Sequence, residues 1–273
     1  MSALRELGLL SLVGILVTGV ATGAAAAESP ALVKARALFN ASNYDGAIDA
    51  ASVARRDPMS ADAAALVVAR ARLERFRQTG GASELAEARE ALRAVRSAAL
   101  TPRDQVDLVI GLGQALYFGE VYGAAADLFE TALEKGALLG ERDRALLLDW
   151  WATALDREAQ LRPMDRRPTV YQRIGQRMER ELHADPSNAG ANYWRVIAAR
   201  GAGDLDLAWS AAISAWVRST LNPSTTEQLR ADLDRVVGQA LIPERSRSHP
   251  ARDTQDPVAL LTAEWDLVKQ NWK

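Results

Sequence analysis

Few residues in this chain have side chains suited to catalysis. Histidine, the usual general base near neutral pH, occurs only as His183 and His249. His183 precedes Ala184-Asp185-Pro186 near the end of a helical pattern, where a histidine faces the negative end of the helix dipole. His249 stands in a polar stretch. Neither has a partner at metal-ligand spacing. Cysteine is absent, which excludes disulfides, Cys-ligated zinc, iron–sulfur centres and thiol nucleophiles. No serine sits in a G-x-S-x-G context, and no glycine loop is built to cradle phosphate. Gly111-Leu112-Gly113 lies inside a helical pattern and reads as packing. Carboxylates are plentiful but scattered as helix surface charge, unlike the paired acids of a glycosidase. The expectation is a protein that is not an enzyme and uses neither cofactor nor metal.

What remains is binding chemistry. Adjacent helical residues point about 100° apart, so Trp150 and Trp151 cannot face the same way. Trp151 is the candidate for a groove, where an aromatic side chain takes up peptide or sugar; the alternative is that both pack internally. Segment 162–180 is locally basic, with Arg162, Arg166, Arg167, Arg173, Arg177 and Arg180 against Asp165 and Glu179. Arg173, Arg177 and Arg180 share a helix face at i, i+4, i+7 and suit an acidic partner or a phospholipid headgroup; the alternative is a solvated face without a partner. The formal net charge of the chain is -2, so no global basic field draws it to nucleic acid.

The elements that must position these residues are helices. At 48% hydrophobic and 25% charged the composition is that of a globular protein. Strand-like alternation is missing, and apolar residues recur at helical spacing between cap signals. Thr101-Pro102-Arg103-Asp104 reads as a capping box with Pro in the first turn. Ser224-x-x-Glu227 reads as a second box. Asp256-Pro257 caps a last helix. Residues 243–256, with Pro243 and Pro250, read as a polar surface loop.

The middle of the chain repeats. Val109, Leu112, Gly113, Leu116 and Tyr117, then Tyr122, Ala125, Phe129 and Ala132, resemble the tetratricopeptide-repeat (TPR) motif. A small residue there allows close approach of two helices, and an aromatic opens the second one. Ala35, Leu38, Phe39, Tyr44, Ala47, Ala54 and Pro58 form another copy. A third runs from Ala191 to Ala215 with Tyr193, Trp194, Gly203, Asp204, Leu205 and Ala208. Two weaker units, 61–95 and 142–182, fit between, giving a period of roughly 40 residues against 34 for the standard repeat. The resemblance implies an all-α, TPR-like solenoid of about five helix pairs over 28–220. A C-terminal cap over 221–273 would close its apolar end, with Trp265, Leu267, Val268 and Trp272 docking the last helix. It also implies a concave face. Asp107, Ile110, Gln114 and Tyr117 would line it in the best-matched unit, and Arg36, Phe39 and Asn40 in the first. The Lys/Asn pattern that clamps a peptide C-terminus in some members is missing.

The chain opens with a targeting pattern. Arg5 precedes the apolar run Leu7–Val20, and small residues follow to Ala27. Fourteen residues fall short of the roughly 20 that span a bilayer. Cleavage after Ala27 is expected, with an uncleaved anchor as the alternative. No cysteine is present to carry a lipid anchor. Lysine appears only at Lys34, Lys135, Lys269 and Lys273, and the arginine and alanine bias suits a GC-rich bacterial genome. The expectation is a periplasmic or secreted scaffold that binds a protein or peptide of the cell envelope, with no stable membrane insertion after cleavage. The alternative is an accessory of a solute transporter, because Asn192-Tyr193-Trp194 and the helix pair after it are similar to periplasmic TRAP T-component proteins.

Overall fold

The structure, a computed structural model, describes residues 28–247 and 256–273. The expected leader over 1–27 and His249 lie outside the described residues. Among the described residues every regular element is helical, so the chain is all-α. None of these helices is long and apolar enough to cross a membrane. The chain divides into two compact units between Ala154 and Leu155.

The first unit contains α1 (Pro30–Asn40), α2 (Tyr44–Ala54), α3 (Ala61–Thr79), α4 (Ala82–Ala94), α5 (Pro102–Tyr117) and α6 (Tyr122–Glu134). It ends within α7 (Glu141–Leu161). From α1 to α6 consecutive helices pack on each other, and α1 with α3 and α3 with α5 also touch. The contacts are close because the facing residues are small. Ala35, Ala47, Ala51 and Ala88 are all 0% exposed. A Cβ on Gly113 of α5 would stand 2.5 Å from a ring carbon of Phe129 on α6. Thr101 caps α5 as read, its hydroxyl accepting from Asp104 N at 3.2 Å, while the Asp104 carboxylate accepts from that hydroxyl at 2.8 Å rather than from the Thr101 backbone.

The second unit begins within α7 and continues through α8 (Arg167–Ala184), α9 (Ala189–Gly201), α10 (Leu205–Arg218), α11 (Thr226–Val236), α12 (Ile242–Ser246) and α13 (Pro257–Asn271). α8 and α10 both pack on α9. α13 docks through Trp265, which is 2% exposed and lies 5.3 Å from the Trp216 ring. Its indole N–H donates to Asp234 Oδ1 at 2.8 Å. Leu267 and Trp272, expected to help, are 57% and 50% exposed. The carbonyl of Trp272 is nonetheless fixed by donors from Trp216 and Arg230 at 3.0 and 2.6 Å.

Two local readings change. The box at Ser224 does not form; α11 starts at Thr226, and Asn222 instead turns its side chain onto Ser224 N and Oγ. The helical path also does not stop before Pro243. It passes through a π turn, Val237–Leu241, into α12. Inside an α-helix a proline ring collides with the carbonyl four residues back. Widening the preceding turn to i→i+5 bonding removes that collision and lets the helix run on.

Three turns between helices close in the same way. Ser42, Glu120 and Gly203 have φ of 59°, 62° and 86°. The next amide in each donates to the carbonyl five residues back: Asn43 to Leu38 at 2.9 Å, Val121 to Leu116 at 3.0 Å, Asp204 to Ala199 at 3.0 Å. This closure satisfies orphan carbonyls at the helix end. That bond offsets a left-handed conformation costing a non-glycine residue about 1–2 kcal/mol. Counted from these turns, the three cores coincide. Ala35, Gly113 and Val196 stand at one buried position, Ala47, Ala125 and Ala208 at a second, and Ala51, Phe129 and Ala212 at a third.

Candidate functional site

In the first unit the expected groove residues are brought together, but they are occupied by their own chain. The Arg36 guanidinium forks onto Asp104, with Nη1 and Nη2 donating at 2.8 and 3.1 Å. Arg70 donates to Asp107 at 2.9 Å. Arg103 lies 3.3 Å from the other Asp107 oxygen and donates to Asp143 at 2.8 Å. The result is a ladder of arginines and aspartates running over α1, α3, α5 and α7. Burial alone would raise the Asp104 carboxyl, but Arg36, with help from Thr101, holds it below the ordinary range. Phe39, Ile110 and Gln114 are buried, with 7%, 3% and 5% exposure. Arg70 also covers the Phe39 ring, 4.6 Å from its centroid. Asn40 is half-buried. Tyr117 is half-buried within an aromatic cluster, its ring 5.2 Å from Tyr122 and 5.0 Å from Trp150. This face offers a partner little beyond the edges of Asn40 and Tyr117.

Two further expectations are corrected by burial. Trp151 is 0% exposed and Trp150 9%, so of the two readings of the pair internal packing of both holds and the groove position for Trp151 does not. Arg177, placed by its spacing on an exposed basic face, is 8% exposed and pairs with Glu181 at 2.8 Å. Arg173 is half-buried on the same helix. The i, i+4, i+7 arginine face therefore does not exist as a continuous cationic surface.

A concavity lies in the second unit, where α8 and α10 flank α9. It has a larger chamber of about 760 Å³ and a smaller one of about 410 Å³, and Glu179, Arg195 and Leu207 line both. Helical spacing places Gln172, Gln176 and Glu179 of α8 on one wall. Leu207, Ser210 and Ser214 of α10 form the opposite wall, and Asn192, Arg195 and Ala198 of α9 the floor. Small residues keep the groove open. A Cβ at Gly175 would make only ordinary contacts, with the Arg195 guanidinium at 3.5 Å and Ala198 Cβ at 3.8 Å, and a Cβ at Gly203 would meet open space. His183, exposed, lines the smaller chamber.

A buried polar cluster backs the larger chamber. Tyr171 lines it, and its hydroxyl donates to Asp156 Oδ1 at 2.8 Å. Gln160 donates to the other oxygen at 2.7 Å. Burial pushes the Asp156 carboxyl above its ordinary range, and these hydrogen bonds and nearby arginines offset it only in part. The same burial, with Asp156 beside it, raises the Tyr171 phenol. Arg200 on α9 forks onto Glu244 of α12, the first contact at 2.8 Å. Gly201 lies against the Tyr171 ring so closely that a Cβ would stand 2.5 Å from it.

The sequence reading missed this groove. Its signal was a polar row, Gln172, Gln176 and Glu179, interrupted by Gly175 on the same helix as the arginines. Among the described residues no group of three His, Cys, Asp or Glu could hold a metal ion. Compared with known families and with curated proteins, the chain gives no match to any family model and none to any curated sequence.

Proposed function

We propose that this chain is an exported, TPR-like tandem of helix pairs that acts as a scaffold, holding a peptide segment of a cell-envelope protein in the groove between α8, α9 and α10. The observation that carries the repeat reading is the shared closure at Ser42, Glu120 and Gly203, with the same buried positions counted from each. Sequences that encode one supersecondary unit repeatedly stack it, and stacked units present grooves. The third of these units is the one beside the groove. An open trench walled by two helices suits an elongated segment, which gains affinity from buried side chains and orientation from fixed polar groups.

The test places a photocrosslinking residue at Gln176 or Ser210 in the chain from Glu28 onward and exposes it to envelope extract. Crosslinks to the same one or two proteins from both positions, absent from a probe at exposed Glu264, support the scaffold. Labelling that is equal from all three positions removes it. The larger chamber's size also falls in the small-molecule range, which keeps a solute-carrying accessory as the second reading. That reading requires a solute that raises the melting temperature of the purified chain without any protein crosslink.

A further inference from the structure

We infer that the smaller chamber of the groove is a carboxylate-recognition subsite, so that the bound peptide carries an acidic side chain or its own C-terminal carboxylate there. This deepens the groove reading and rests on it.

The charge inventory of that chamber points one way. Arg195, Arg218 and His183 face Glu179 as the one acid in its lining, with Ser210, Ser214 and Asn192 as neutral polar groups. The two arginines are differently prepared. Arg195 is set in place: its side chain is 18% exposed and its guanidinium passes beside Gly175, 3.5 Å from where a Cβ would stand. Its partner is Glu179, whose side chain is 57% exposed. An ion pair with one well-hydrated member contributes little net stability, so a ligand carboxylate can displace it at small cost. Arg218, the last residue of α10, forms no ion pair among the described residues. The two acids nearest in sequence to His183 are engaged elsewhere: Glu181 pairs with Arg177 at 2.8 Å, and Asp185 accepts from Ser187 N and Oγ at 2.9 and 2.7 Å. The Asn192 amide is spent on the carbonyls of Pro186 and Asn188, at 2.9 and 3.0 Å.

Those facts describe a groove with a fixed, weakly hydrated arginine fork, a second cation with no ion-pair partner among the described residues, and one expendable internal anion. A planar guanidinium recognises carboxylate bidentately, and a partly desolvated site strengthens that pairing. Glu179 then acts as a placeholder. It holds Arg195 across the line where the two chambers meet and gives way when a ligand anion arrives. The larger chamber does not share this character. Its lining carries Asp204 and Asp206 as well as Glu179, against Arg195 and Arg245. The carboxylate of the ligand is thus directed to the α8 C-terminal end of the groove.

The test uses the chain from Glu28 onward, immobilised, and three pools of degenerate pentapeptides. The first has a central Glu and an amidated C-terminus, the second a central Gln and an amidated C-terminus, the third a central Gln and a free C-terminus. Retention of the first or third pool over the second supports the subsite and identifies the source of the carboxylate. Arg218→Gln and Arg195→Gln should each weaken that retention about tenfold or more, as expected for a hydrogen bond to a charged group. Glu179→Gln should strengthen it, an effect that loss of structure does not produce. Far-UV circular dichroism and melting of each variant confirm folding, and Arg218, at a helix end, is the substitution least able to disturb it. Equal retention of all three pools, or tighter binding that does not follow Glu179→Gln, overturns the subsite while leaving the groove reading standing. Retention of none overturns both.

Discussion

Replacing Gly113 with alanine separates helix propensity from helix packing. Taken alone, the substitution should stabilise α5, because alanine is favoured over glycine in a helix interior by about 0.8–1 kcal/mol. The structure reverses the sign. The new methyl would stand 2.5, 2.8 and 3.2 Å from three ring atoms of Phe129, where carbon–carbon contacts prefer about 3.5–4.0 Å. Phe129 is 0% exposed and its ring centroid is 5.9 Å from that of Trp150, so it has no free side to move into. The ring must shift by about 1 Å, an overpacking that falls toward the upper end of about 1–3 kcal/mol. The net expectation is a loss of about 2 kcal/mol, or about 4–8 °C in melting temperature for a domain of this size. Gly175→Ala is the matched control. Its methyl meets Arg195 at an ordinary 3.5 Å, so the propensity gain should survive as about 0.5–1 kcal/mol of added stability. Urea titration and thermal melting of the two variants beside the parent chain decide the matter. A Gly113→Ala chain as stable as the parent would refute the close-approach argument. Phe129→Leu in the Gly113→Ala background should recover part of the loss, because the smaller side chain vacates the contact.

Three further perturbations test other parts of the structure. Arg36→Ala strands the buried Asp104 carboxylate and should cost about 3 kcal/mol near neutral pH. The folded-state pKa of Asp104 lies below the 3.8 of an unperturbed carboxyl, so this contribution is complete above that value and is lost as pH falls through the lower one. The gap between parent and variant in urea melts should therefore close in acid, and a gap independent of pH would contradict the pairing. Asp156 has the opposite sign. Its folded-state pKa lies above 3.8, so the parent chain loses stability as pH rises from 3.8 through the raised value. Asp156→Asn keeps an acceptor for Tyr171 without ionising. It should melt higher than the parent at pH 8, with the difference vanishing by pH 3; a parallel pair of curves would show that the carboxyl is not driven by burial. Finally, Pro243→Ala should convert Val237–Leu241 to ordinary α geometry. Amide-exchange and NOE patterns that retain the i→i+5 bonds would show that proline is not the cause of the π turn.

The all-helical class was legible because it rests on local physics. Apolar residues at helical spacing, the Thr101-Pro102 start and the Asp256-Pro257 start act within one or two turns of chain. So does the substitution of small residues at Gly113, Ala125 and Ala208, which mark where helices must approach. The same locality produced the errors. Pro243 reads as a stop because the sequence does not show that the turn before it can widen. Ser224 reads as a cap because Asn222, two residues earlier, is not visible as the competitor for the same backbone.

What lay beyond reach were properties that depend on residues distant in sequence. Arg36 looked free for a partner until Asp104, 68 residues on, closed around it. Trp151 and Arg177 had the composition of a surface site, yet burial is decided by which helix arrives on each side. The spacing of Gln172, Gln176 and Glu179 was in plain view, but a groove exists only because α8 and α10 both lie on α9 and leave room between them. Periodicity along one helix fixes which residues share a face. Whether that face meets water, a neighbour or a cavity is set by packing, and packing sums contacts that no local stretch of sequence contains.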